Sequence, residues 1–129
     1  MNTKIGSVVA ALAVFLSAGS VQAHHSFQVN FDPSKTVTLT GTLTKVFWIN
    51  PHIELFLDVK SARGPVEDWV IVGSPPTSFP KSISRSDFEK AIGQTVTLEV
   101  YRARDGTLYG HLLRFTLPGG KSITVNPFA

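Results

Sequence analysis

Four histidines carry most of the chemistry this chain can offer: His24 and His25 side by side, His52 in an Asn-Pro-His turn, and His111. No G-x-S-x-G, H-E-x-x-H or phosphate-loop pattern occurs. The absence of cysteine excludes thiol catalysis and disulfide bonds, so the fold must rest on packing alone. The position of the first histidine pair gains meaning from what precedes it. Lys4, an apolar run through Ile5, Val8, Val9, Leu12, Val14, Phe15 and Leu16, and the Val21-Gln22-Ala23 segment supply the charged, hydrophobic and small-residue parts of a secretory leader. Cleavage of residues 1–23 makes His24 the first residue of a periplasmic or secreted protein. The run from Ile5 to Ser20 is shorter than the roughly 20 residues that span a bilayer, and no membrane span is expected after cleavage.

A terminal histidine chelates a metal ion through its α-amine and its imidazole, and an amine pKa of about 7.7–8.0 makes loss of the amine proton to a metal inexpensive. One further imidazole completes a T-shaped set of three nitrogens, the histidine brace, which suits the tetragonal preference of Cu(II). The only methionine is the initiator, so the mature chain lacks the sulfur ligands that hold Cu(I). His24, His25 and His52 are the candidate metal ligands, with copper as the candidate cofactor. The competing reading makes His24 and His25 polar residues of a disordered terminus and His52 a turn histidine bonded to nearby backbone. His111 shares parity with Tyr109, Leu113, Phe115 and Leu117, so it reads as a hydrogen-bonded histidine of the core or a pocket edge. Trp48 and Phe56 flank the same Asn50-Pro51-His52 turn on the outer parity of their strands. They offer a stacking platform for a sugar or peptide, or they pack against the terminal arm or a helix.

The elements that must position these residues are mostly strands. Val37, Leu39, Gly41, Leu43 and Phe47 share one face of the first, and Thr38, Thr40, Thr42 and Thr44 line the other. Ile53, Leu55, Leu57 and Val59 alternate in the second, and a third runs from Val66 to Val72. Prolines, serines and threonines make residues 73–84 a loop. Ser86 and Glu89 have capping-box spacing, and Phe88, Ala91 and Ile92 give a short helix its apolar side before Gly93. Val96, Leu98 and Val100 point inward from a strand over 95–101, Asp105-Gly106 turns into a strand over 108–117, and a final short strand covers 122–125. Three strands, a short helix and two or three more strands is the order of an OB-like β barrel, an all-β fold, as a single domain over 24–129. A generic small barrel or sandwich has similar spacing.

Charge adds little: 12 basic and 9 acidic side chains lie dispersed along the chain, and export separates it from nucleic acid. The motifs say more. His24-His25-Ser26-Phe27, Phe31-Asp32, the segment from Val37 to Thr42, and Trp48-Ile49-Asn50-Pro51-His52 resemble a family of small exported bacterial proteins termed domain of unknown function 6152. Gly73-Ser74-Pro75, the segment from Tyr101 to Gly106, and Thr116-Leu117-Pro118-Gly119-Gly120 extend the likeness over nearly the whole mature chain. The family's usual Arg-Gly-Trp stretch is replaced here by Phe79-Pro80-Lys81-Ser82. The resemblance implies that His24, His25 and His52 are motif positions and His111 is not, and it implies no activity. Two functions follow: a Cu(II)-binding protein that buffers or delivers the metal, or a metal-free OB-like module that binds an oligosaccharide, peptide or protein. A copper monooxygenase would use the same brace, but residues 24–129 leave little room for a substrate surface and for the groups that tune a reactive metal.

Overall fold

Alternation of leucine and valine with threonine is realised as β1 (Phe31–Phe47), the longest strand of the computed structural model, which describes residues 27–125. The compact unit beginning at Phe31 continues with β2 (Glu54–Lys60), β3 (Val66–Val72), the short helix α1 (Arg85–Lys90), β4 (Thr95–Ala103), β5 (Tyr109–Thr116) and β6 (Ser122–Thr124). It is mostly antiparallel sheet with little helix. The hydrogen-bonded order is β3-β2-β1-β4-β5-β6, with an additional parallel pairing of β3 with β5.

β1 serves two neighbours in succession. Its residues from Thr36 to Thr42 pair with β4, and those from Thr42 to Phe47 pair with β2. Gly41 sits where the strand changes partner, and a Cβ there would run into the carbonyl of Asp58, so a glycine is needed for the close approach. Leu39, Leu43, Leu55, Leu57, Ile71, Val96, Leu98, Val100, Leu112 and Phe115 point into one core, joined by Phe79 and Ile83 of the connection and by Phe88 of α1.

Two bulges shift the expected faces. Leu43 faces Leu57 whereas Lys45 faces Phe56, so Thr44 is an extra residue in β1 and the alternation beyond it inverts. Phe47, expected inside with Leu43, is therefore 42 % exposed, and Val46 packs against the core instead. In β5, Val100 faces Leu112 whereas Glu99 faces Arg114, which leaves Leu113 as the extra residue. Leu112 and Phe115 take the core positions, and His111 falls on the opposite face from the one its parity with Phe115 predicts.

The helix begins earlier than its Ser86-Glu89 signal suggests. Ser84 is the cap: its hydroxyl and backbone N–H donate to Asp87 Oδ2 at 3.0 and 2.7 Å, closing a capping box two residues upstream. The helix ends at Lys90 with Ala91 as its C-cap, so Ile92, expected on the apolar side, lies beyond it and is 42 % exposed. The connection over 73–84 contains a 3-10 turn at Pro76–Ser78, and Phe79 and Ile83 anchor it in the core. Among the described residues, no helix is long and apolar enough to cross a membrane.

Candidate functional site

The site is built from the end of β3 outward. Beyond Val72 the pairing of β2 and β3 continues as Gly73 N–H to Ile53 O at 2.9 Å and Ile53 N–H to Ser74 O at 3.5 Å, which draws the segment before β2 against Gly73. A side chain at Gly73 would put its Cβ 2.7 Å from Cγ1 of the fully buried Ile53, so the backbone approaches closely only because it is glycine. The Gly73 carbonyl, so placed, lies 3.1 Å from His52 Nδ1. A carbonyl only accepts. Nδ1 therefore carries the proton, and the lone pair is on Nε2 of an exposed ring.

His111 is brought to the same end of the sheet by the parallel pairing, in which it faces Val72, the residue before Gly73. Its Nδ1 donates to Leu112 O at 3.1 Å, so its lone pair is likewise on Nε2. The ring is 6 % exposed and meets Phe31 edge-on at 5.5 Å, and Phe31 stacks on Tyr109 at 5.4 Å. Burial is the main cause that lowers the His111 pKa to about 4, with a smaller contribution from the charge of His52, so the ring is neutral at pH 7. Burial also raises the Tyr109 pKa, assisted by the carboxylate of Glu54.

His24 and His25 lie outside the described residues. Among the described residues, no three metal-ligating side chains converge. His52 and His111 come to the same end of the sheet, which nothing local to either residue reveals because it depends on the pairing of β3 with β5.

The two aromatic candidates diverge. Trp48 is half-buried, its ring 5.0 Å from Phe79 and 5.1 Å from Phe88, and Phe88 in turn lies 4.8 Å from Phe115. It packs on the helix side of the core. Phe56 stays on the outer face, 5.5 Å from Phe47 in an edge arrangement, with the Lys45 ammonium 5.5 and 5.2 Å from the two ring centroids. Phe47 was missed as a surface aromatic, since only the Thr44 bulge turns it outward. Also missed was a cleft of about 420 Å³ lined by Asp32, Lys35, Arg102, Ala103, Arg104 and Gly106. Arg102 and Arg104 belong to the motif segment from Tyr101 to Gly106, but Lys35 and Asp32 lie some seventy residues earlier, and only the pairing of β1 with β4 brings the two stretches together.

Comparison with known proteins shows that the model of a family of unknown function, DUF6152, matches residues 11–112. No curated protein and no solved structure matches the chain.

Proposed function

The chain belongs to the DUF6152 family of unknown function, and from that premise we propose that it is an exported Cu(II)-binding protein that buffers or delivers the metal. The leader over 1–23 is removed, and the α-amine and imidazole of His24, with His25 beside them, supply two nitrogens of a histidine brace. Nε2 of His52 is the third. One observation carries this reading. His52 has an exposed ring whose Nδ1–H is tied to the Gly73 carbonyl at 3.1 Å, the arrangement that fixes the tautomer and ring direction of a metal-ligating histidine. Donor chemistry fits copper, for the three groups are nitrogens and no sulfur accompanies them.

The scaffold in this reading is an OB-like barrel. β1 pairs with β2, β2 with β3, β3 with β5, β5 with β4 and β4 with β1, a ring of strands with α1 between β3 and β4. His52 then lies at the barrel mouth, on the connection entering β2.

Titration of the processed protein with Cu(II) under a competing chelator tests the proposal. One ion should bind tightly, and adding a single residue before His24 should weaken binding at least about tenfold, or roughly 1.4 kcal/mol, because the amine is displaced while every imidazole is kept. His52→Ala should also weaken it, with one nitrogen fewer by electron spin resonance. Equal binding by extended and processed chains would refute the brace. A second reading, a metal-free module for a saccharide or protein, draws on the edge-to-face pair of the exposed Phe47 and the half-buried Phe56. Loss of partner binding in Phe56→Ala, with metal irrelevant, would favour it.

A further inference from the structure

β1 leaves β4 over one short stretch. Phe31 faces Ala103 and Thr36 faces Tyr101, so residues 32–35 stand opposite the single residue Arg102. The excursion closes on itself through Asp32, whose Oδ1 accepts from the Ser34 N–H at 3.0 Å and the Ser34 hydroxyl at 2.6 Å. Across from it, the turn after β4 is held the same way: Asp105 Oδ1 accepts from the Thr107 N–H at 3.0 Å and its hydroxyl at 2.7 Å. Between these two turns lies the cleft of about 420 Å³.

Its charge is one-sided. Among the described residues, Lys35, Arg102 and Arg104 line it together with one carboxylate, that of Asp32. Asp105 is not in the lining, and its carboxylate is engaged within its own turn. Lys35 Nζ and Arg104 Nη1 stand 3.9 and 4.0 Å from Asp32 Oδ2, the outer limit of an ion pair. Arg102 is held at the cleft by its bond from Nη2 to the Gly106 carbonyl at 3.4 Å and by the Trp69 ring, 5.5 Å from its guanidinium carbon. Two guanidinium forks and an ammonium in one recess suit a tetrahedral dianion, which accepts paired N–H donors and outweighs a single fixed carboxylate.

The geometry points to this cleft as a binding site for a phosphate-type oxyanion, taken either as the free ion or as the headgroup of a phosphate ester. It is independent of the histidines. Both turns are tied by their own Asp-to-hydroxyl bonds, so the cleft is formed before the ligand arrives.

Inorganic phosphate titrated into the full processed chain at constant ionic strength, with chloride as control, tests the inference by amide chemical shifts. Saturable binding should appear with shifts confined to residues 32–35 and 102–107. Arg104→Gln and Lys35→Gln, at exposed side chains whose loss the fold tolerates, should each weaken binding several-fold. Asp32→Asn should strengthen it, an effect that a merely structural carboxylate would not produce. Sedimentation with phosphatidylglycerol vesicles, compared with phosphatidylcholine, separates the sources. Arg104-dependent capture by the anionic vesicles assigns a lipid headgroup, and phosphate binding without capture assigns the free ion. Neither phosphate saturation below about 10 mM nor Arg104-dependent capture, or binding indifferent to both Arg104→Gln and Asp32→Asn, would overturn the site.

Discussion

His111 shows how one side chain ties stability to pH. In the unfolded chain it takes a proton near 6.5, but burial in the folded protein delays this to about 4. Between those values the unfolded state holds more protons, so stability is complete above about pH 6.5 and declines as the pH falls toward 4. The full loss is about 3 kcal/mol, the shift converted at 1.36 kcal/mol per unit. Asp32, Asp87 and Asp105, whose carboxyls are held below the ordinary 3.8 by hydrogen bonds from Ser34, Ser84 and Thr107, lose their contribution only at lower pH. Urea unfolding with a chelator present, at pH 7 and 4.5, should therefore show a clear drop for the natural chain and a much smaller one for His111→Gln. Equal drops would show that another group carries the dependence. At this scale the sequence was partly legible. The Asn50-Pro51-His52 turn marked His52, but the carbonyl that fixes its tautomer comes from Gly73, 21 residues on. The burial of His111 needs Phe31 from the start of another strand.

Elements were legible wherever a period ran uninterrupted. β2 follows its alternation closely, β3 covers the expected span although Ile71 and Val72 are buried side by side, and the core leucines of β1 up to Leu43 are where parity put them. Parity fails at Thr44 and Leu113, since an ordinary residue inserted in one strand leaves no mark in the pattern and shows only in the register with the partner. The helix start had two serines to choose from, each followed three residues later by an acid. Capping at Ser84 puts Ile83 just before the cap and Phe88 at the fourth helical position, both buried, the two positions of a hydrophobic staple. Tertiary burial decides between two equal local signals. Ser84→Ala should accordingly cost about 1 kcal/mol, and Ser86→Ala should stay within about 0.5 kcal/mol. Denaturation midpoints at constant slope measure both, and the reverse order would return the cap to Ser86.

At the scale of the whole molecule, the element order was readable but the neighbours of each strand were not, because β1 divides itself between β4 and β2, and β3 pairs with β5 although α1 and β4 come between them in the chain. That last contact is the shortest of the pairings among β1 to β5. β2 and β3 run together from Glu54–Val72 to Lys60–Val66, whereas β3 and β5 share only Val70–Tyr109, Ile71–Gly110 and Val72–His111. Parallel pairs of this kind are slightly weaker per residue than antiparallel ones, and closing them spans a long stretch of chain. A seam so short is where the sheet should part most often. The Val70 amide, bonded to Leu108 O at 3.1 Å, should exchange its hydrogen well before the amide of Leu98 in the centre of the sheet, and equal protection at the two would rule such opening out. His111 lies on this seam, so the proton its ring refuses in the closed molecule would reach it through the same breathing motion.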